Sequence, residues 1–380
     1  MKVAGNWLTA EPTQALCAAL EGAGFQALFV GGCVRNAALG LSVGDIDLAT
    51  DARPETVTTL AEGAGFKVVP TGIDHGTVTV VAGGIPHEVT TFRRDVETDG
   101  RRAVVAYSTR IEEDAARRDF TMNALYAQPD GSVIDPLGGW PDLQARHLRF
   151  VGEPEARIRE DYLRILRFFR FHAIYADPAA GMDAEGLAAC AALADGIDTL
   201  SAERIGAEMR KLLAAADPAP AVAAMARSGV LAHVLPGADT RALAPLIHLE
   251  NARAPRWLRR LAVLGGQGVA ERWRLSRAEQ RDLAHLQAAL ATLESPAVLG
   301  WRIGETLAED ALLARAALLE TPLLSGWQAE LARGVQSRFP VRPADLMPAL
   351  QGAELGARLK ALEGQWLQSD LRMTRAELLG

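Results

Sequence analysis

An α+β N-terminal domain with a mixed sheet, followed by an all-α remainder, is the fold class this sequence predicts. Three observations predict it. Short β-branched runs alternate with helical stretches up to about residue 150. Beyond that point strands disappear, and helices rich in Ala, Leu, Arg and Glu take over. The chain has 380 residues, 49% hydrophobic and 23% charged. That is a globular composition, too long for one compact domain at about 100–200 residues per domain.

The elements follow in order. The runs Ala27–Val30, Asp45–Leu48, Lys67–Val69, Thr77–Val81, His87–Phe92 and Val104–Tyr107 read as strands. Thr13–Leu20 and Pro54–Ala64 carry helical spacing between them. Gly83-Gly84, between two strand runs, predicts a hairpin turn. After residue 150 the helices are punctuated by Asp217-Pro218, Leu235-Pro236, Phe339-Pro340 and Met347-Pro348. The expected division is a domain over 1–150, a helical segment over 151–238 and a second helical region over 239–380.

Composition narrows the function classes. No apolar run approaches the roughly 18–20 residues of a membrane span, and the N-terminus lacks a signal pattern. Cys17, Cys33 and Cys190 are scattered, which suggests neither a disulfide framework nor a zinc cluster. A reducing cytoplasm is the expected compartment. The net charge of −7 argues against indiscriminate nucleic-acid binding. It is unevenly spread: −6 over residues 1–150, −3 over 151–238 and +2 over 239–380. Arginines 253, 256, 259 and 260 cluster in the last segment, where they suit phosphate contacts or simply a solvated helix surface.

The chemistry concentrates in four places. Val30–Asn36 (V-G-G-C-V-R-N) sets Gly31-Gly32 between a strand and a helix. Glycine lets backbone approach a ligand closely, and a helix start offers unpaired N–H groups to phosphate. Gly44–Thr50 (G-D-I-D-L-A-T) sets Asp45 and Asp47 two apart, on one face if the segment is a strand. Side by side, two carboxylates repel unless a dication lies between them. Hard oxygen ligands suit magnesium, with substrate phosphates completing its shell. Alone the pair reads more readily as a solvated turn, and the preceding Gly-Gly turn reverses that preference. Glu88, in the run His87–Arg93, is either a third carboxylate beside that pair or a strand charge facing water. His75 and His87 lack partners at metal-ligand spacing and read as structural. Glu112–Tyr126 places Arg118, Asp119 and Asn123 beside an apolar stripe. The i,i+4 pairs Glu113–Arg117 and Asp114–Arg118 explain some of its charge; a site gripping ribose and phosphates would explain the rest. Arg159–Phe171 reads as a single helix, with Asp161 and Arg164 on one face and Arg167 a turn further on.

Taken together, G-G-C-V-R, G-D-I-D-L-A-T, R-R-D-F-T-M-N-A, D-P-L-G-G (Asp135–Gly139) and E-D-Y-L-R-I-L-R-F-F-R-F resemble the class II (bacterial-type) tRNA nucleotidyltransferase/poly(A) polymerase family, in its order and approximate spacing. Leu200–Leu213 and Arg227–Pro236 extend the likeness, and Ala353–Glu363 echoes it. The resemblance implies a polymerase-β-like nucleotidyltransferase head followed by helical neck, body and tail. It implies that Asp45 and Asp47 bind two magnesium ions, with Glu88 as a third carboxylate, and that Gly31, Gly32 and Arg35 hold the triphosphate. Arg118, Asp119 and Asn123 match the ribose motif. Asp161 and Arg164, with Arg167 beyond them, match the residues that read the incoming base. The last assignment agrees with elementary chemistry. Cytosine and adenine each set an exocyclic amine beside a ring-nitrogen acceptor, so Asp can accept from one and Arg donate to the other. Uracil and guanine present the opposite order.

The expected activity is template-independent addition of CCA to the tRNA 3′ end from CTP and ATP. A poly(A) polymerase and an enzyme adding only CC or only A share these motifs. A non-catalytic RNA-binding protein is the alternative of a different class. Asp99-Gly100-Arg101-Arg102, within Arg94–Ala116, resembles the flexible loop of full CCA-adding members. No His-Asp dipeptide follows residue 150, so no appended phosphohydrolase domain is expected. Oligomeric state is not legible in the sequence.

Overall fold

The structure, a computed structural model, describes residues 1–73, 76–96 and 104–380. The predicted loop at Asp99–Arg102 and His75 lie outside the described residues. The chain packs into two compact units, Met1–Leu200 with Ser228–Val230, and Ser201–Arg227 with Leu231–Gly380.

The first unit opens with helices α1 (Asn6–Thr9) and α2 (Glu11–Gly22). It continues through β1 (Leu28–Val30), α3 (Gly32–Ala38), β2 (Ile46–Thr50), α4 (Pro54–Gly63), β3 (Lys67–Gly72), β4 (Thr77–Ala82) and β5 (Ile85–Thr91). β6 (Arg93–Val96) and β7 (Val104–Tyr107) pair as a separate ribbon. Next come α5 (Ile111–Ala116), β8 (Tyr126–Ala127), β9 (Val133–Ile134) and α6 (Trp140–Gln144), then α7 (Pro154–Glu160), α8 (Leu163–Tyr175) and α9 (Ala184–Ala192). Seven strands form one mixed sheet in the order β3-β4-β5-β2-β1-β8-β9. Among the described residues its one parallel pair is β2 with β5. Alternation along β4 and β5 buries Val78, Val80, His87 and Val89 and leaves Glu88 on the opposite, exposed face. The predicted hairpin is present: Gly83 and Gly84 join β4 to β5 at φ 58° and 80°, values L side chains rarely adopt. His87 sits in the core, its ring within hydrogen-bond distance of Thr13 Oγ1 (2.9 Å) and the Ile85 carbonyl (3.0 Å), which fits its structural reading.

In the second unit, helices α10 (Ala202–Leu213) and α11 (Ala219–Arg227) precede α12 (Val230–Val234), whose first residue belongs to the other unit. Then follow α13 (Leu243–Glu250), α14 (Trp257–Leu264), α15 (Val269–Arg272), α16 (Arg277–Leu290), α17 (Pro296–Leu318), α18 (Trp327–Gln336), α19 (Gly352–Gln368) and α20 (Arg375–Leu379). No strand occurs among its described residues. The α+β-then-α expectation is borne out. The arginine cluster corrects another. Arg259 and Arg260 are each only 1% exposed. Arg259 donates to Glu250 and Asp310, and Arg260 to Glu250 and the Leu213 and Ala215 carbonyls. Arg253 pairs with Glu309 and Arg256 with Asp310. Arg259 and Arg260 hold the helices of this unit together from inside, whereas Arg253 and Arg256 keep part of their side chains at the surface.

Candidate active site

The site is built where β1 ends. Gly31 turns the chain at φ 69° into α3, and a Cβ there would lie 3.2 Å from Arg118 Nη1 and 3.6 Å from the Asn123 carbonyl. Glycine is what lets the Arg118–Asn123 segment close onto this turn. At Gly32 the nearest such atom, Arg35 Nη2, is 3.9 Å away, an ordinary contact.

The carboxylates meet at the parallel pair. Asp47 on β2 stands in register with Glu88 on β5. Asp45 falls just before β2 in an exposed bend, so the expectation of two aspartates on one strand holds for Asp47 alone. Gly44 and Asp45 have no ladder partners to extend the strand. Burial, then Glu88, then Asp45 push the Asp47 carboxyl up to about 6, against the pull of Arg118 and Arg35. A carboxylate raised by its acidic neighbours in this way is a hard oxygen donor whose charge a dication would relieve. Among the described residues no three His, Cys, Asp or Glu side chains converge closely enough to hold an ion by themselves. A cation at Asp47 would need oxygen ligands beyond these side chains, of the kind phosphate supplies.

Behind the carboxylates lies a polar network. The buried Asp114 accepts from Arg118 Nη2 (3.1 Å), Arg117 Nε (2.9 Å) and the Tyr126 hydroxyl (2.6 Å), and Arg118 Nε donates to that hydroxyl. Burial alone would raise the Asp114 carboxyl, but the two guanidiniums outweigh it and hold it below the usual range. Of the two predicted i,i+4 pairs, Asp114–Arg118 forms. Glu113 instead accepts from Ser108 and pairs with Arg110, because α5 ends at Ala116 and releases Arg117 to Asp114. Asp119 accepts from the Phe120 N–H and Asn123 Nδ2 on one oxygen and from Arg167 on the other. Burial would raise it, and Arg167 foremost holds it below the ordinary carboxylate range. Asn123 Oδ1 accepts from Arg35, whose other donors reach Asn36 and the Tyr175 hydroxyl. Arg35, expected to face the triphosphate, is 5% exposed and points into this network.

The D-P-L-G-G segment supports the same corner. Asp135 accepts from the Gly139 and Trp140 N–H groups, and a Cβ at Gly139 would lie 2.3 Å from the Thr121 carbonyl. Thr121 begins the short 3₁₀ turn Thr121–Asn123, so this motif seats Asn123.

The single helix expected over Arg159–Phe171 is broken. α7 ends at Glu160, Asp161 is extended (φ −156°, ψ 105°), and α8 begins at Leu163. Asp161 Oδ1 accepts from the Leu163 N–H at 3.1 Å, a local bond that competes with the helix. Asp161 and Arg164 therefore do not share a helix face. They flank the start of α8. Arg164 donates to Glu160 Oε2 and to the Arg157 and Arg117 carbonyls, which brings it beside the Arg118 segment. Sequence reasoning missed Tyr126 and Tyr175 as anchors. Arg167, Phe171 and Tyr175 at i, i+4 and i+8 were the available signal for the second.

Known proteins resemble this chain along nearly its whole length. The "Poly A polymerase head domain" matches residues 27–149, and the "Probable RNA and SrmB- binding site of polymerase A" matches residues 181–241. A CCA-adding enzyme of Geobacillus thermodenitrificans is 36% identical over 81% of this chain and 70% of its own. The mitochondrial CCA tRNA nucleotidyltransferase 1 of Danio rerio is 32% identical over 93% of this chain and 86% of its own. Among solved structures, the Bacillus stearothermophilus CCA-adding enzyme in complex with CTP superposes with a TM-score of 0.75, at 30% identity over 95% of this chain and 94% of that one.

Proposed function

The chain belongs to the class II family of CCA-adding tRNA nucleotidyltransferases, and from that premise we propose how its residues divide the work. It is an enzyme that adds CCA to the 3′ end of tRNA, taking CTP and ATP as substrates. In each addition the terminal 3′-hydroxyl oxygen of the RNA forms a bond to the α-phosphorus, and the bond to pyrophosphate breaks. The hydroxyl proton goes to solvent. The observation that carries the assignment is Asp47 in register with Glu88 and within the field of Arg118, whose guanidinium lies against the Gly31 turn.

Residues 1–150 act as the head, 151–238 as the neck and 239–380 as body and tail. Asp45, Asp47 and Glu88 face the reacting phosphate. Magnesium held by Asp45 and Asp47, with Glu88 beside them, would supply the Lewis acid that polarises the α-phosphate and lowers the pKa of the attacking hydroxyl. The Gly31-Gly32 turn lets backbone approach the triphosphate, and Arg118 sets a fixed positive charge above it. Arg118, Asp119 and Asn123 form the sugar-facing segment, with Arg35 and Arg167 holding it in place. Asp161 and Arg164, where α8 starts, read the base edge. We place the activity in the cytoplasm, as the scattered, unpaired cysteines favour a reducing compartment.

The test uses three tRNA substrates, ending before CCA, after C and after CC, each given one nucleoside triphosphate at a time with magnesium. C must be added to the first two and A to the third. Long oligo(A) tails on unrelated RNA would move the assignment to poly(A) synthesis, and a stop after CC to the partial activity.

A further inference from the structure

One stripe of α8 clamps the sugar-facing segment. Arg167, Phe171 and Tyr175 follow one another at four-residue spacing and share a face. Each end of the stripe reaches the same residue of the head, Asn123, by a different route. From one end, Arg167 donates to Asp119 Oδ2, while Asp119 Oδ1 accepts from Asn123 Nδ2 at 2.9 Å. From the other, the Tyr175 hydroxyl accepts from Arg35 Nη2 at 2.7 Å, and Arg35 Nη1 donates to Asn123 Oδ1 at 2.5 Å. Between them the Phe171 ring lies under both guanidiniums, at 5.1 Å from Arg35 and 5.0 Å from Arg167. The Tyr175 ring itself lies 3.9 Å from the Arg35 guanidinium carbon.

This ring of contacts fixes two things together. Asn123 has its amide oxygen turned to Arg35 and its nitrogen to Asp119, so the amide cannot flip without losing both bonds. α8, which starts beside Asp161 and Arg164, cannot slide along the head without breaking the bonds from Arg167 and Tyr175. We infer that Tyr175, acting through Arg35, is a positioning residue for nucleotide selection: it sets the register of the base-reading end of α8 against the ribose-facing Asn123. Tyr175 touches neither base nor phosphate in this role. The inference rests on the assignment of Asp161 and Arg164 as the base readers.

Tyr175→Phe tests it, because it deletes one hydroxyl and keeps the ring over Arg35. Single-turnover efficiencies for CTP and UTP are measured on tRNA ending before CCA, and for ATP and GTP on tRNA ending in CC. Each ratio comes from one preparation, so any inactive fraction cancels. The expected result is a CTP-to-UTP ratio narrowed by about five- to tenfold, with KM for the correct nucleotide rising more than kcat falls. Combining Tyr175→Phe with Arg35→Lys should narrow the ratio no further than Arg35→Lys alone, since both act through one bond. Asp161→Ala is run in parallel. If Asp161→Ala loses selectivity while Tyr175→Phe keeps the wild-type ratio, or if the double variant is additive, the positioning role is wrong and the base-reading assignment stands. If Asp161→Ala itself keeps the wild-type ratio, the base-reading assignment falls and takes this inference with it.

Discussion

A methyl group at Gly31 would stand 3.2 Å from Arg118 Nη1, on a backbone held at φ 69°. Both facts oppose any side chain there. Gly31→Ala should cost about 1–3 kcal/mol of stability through backbone strain. It should also push Arg118 off the turn, raising KM for CTP and ATP. Thermal unfolding and steady-state kinetics check both effects, and an unchanged KM would remove Arg118 from the triphosphate. The carboxylates are the other decisive single residues. Burial, Glu88 and Asp45 raise the Asp47 carboxyl to about 6, and a cation beside it would relieve its charge. Asp45→Ala or Asp47→Ala should abolish transfer while tRNA binding, measured separately by filter retention, survives. Near-normal turnover with magnesium in either variant would overturn the metal assignment. Asp45 is the sterner test, because it lies outside the strand that fixes Asp47.

At the level of elements, the break between α7 and α8 shapes the base-reading prediction. Asp161 has two jobs there on the proposed function: its carboxylate accepts from the Leu163 N–H, and we propose that it faces the base. Asp161→Ala removes both, whereas Asp161→Asn keeps an oxygen for Leu163 and changes what the base meets. Both variants, and Arg164→Ala, should narrow the CTP-to-UTP ratio. A polar site rejects a wrong edge at roughly 1–3 kcal/mol per unsatisfied group, and each 1.4 kcal/mol is about tenfold. If Asp161→Asn keeps the wild-type ratio and only the alanine variant loses it, Asp161 merely shapes the start of α8. Periodicity could not show this break. Apolar spacing runs on across Glu160–Leu163, and the interruption comes from one side-chain bond to backbone, a competition that spacing does not record. The same limit hid β6, whose charged Arg93-Arg94-Asp95 carries no apolar alternation, and β8 and β9, too short at two residues to alternate at all. The longer strands β4 and β5 were legible because one face is buried and the other is not, and β2 because it is a short apolar run buried on both faces. The network behind the site was half legible. Asp114–Arg118 follows from helical spacing. Tyr175 and Arg35 meet across 140 residues, a contact no local pattern contains.

Over the whole molecule, charge along the sequence misled where burial decides. A run containing four arginines reads as a nucleic-acid or solvated surface, yet Glu250 and Asp310, 2% and 0% exposed, turn Arg259 and Arg260 inward. The truncation that a phosphate-binding tail would invite, cutting at residue 239, also divides a compact unit that includes residues 201–227. It would strip Arg260 from the carbonyls at the end of α10. A point substitution is the cleaner experiment. Arg259→Met removes one charge of near-equal volume and leaves Glu250 and Asp310 each with a single arginine partner, Arg260 and Arg256. Breaking a buried pair on one side costs about 3–5 kcal/mol, because the remaining charge is left under-compensated. Salt screens such a pair far less than a surface one, so the loss measured by urea unfolding should persist at 1 M salt, where the Debye length is about 3 Å. A solvated surface arginine would cost about 0–1 kcal/mol and lose even that in salt. A phosphate contact would give a third pattern: unchanged stability, weaker tRNA binding, and a slope of affinity against salt flatter by about one. The expected result for Arg259→Met is a large, salt-resistant loss of stability with the salt slope of tRNA binding intact below the unfolding temperature. A flattened slope at unchanged stability would put Arg259 on the RNA, and would require the helices around Glu250 to open when tRNA binds.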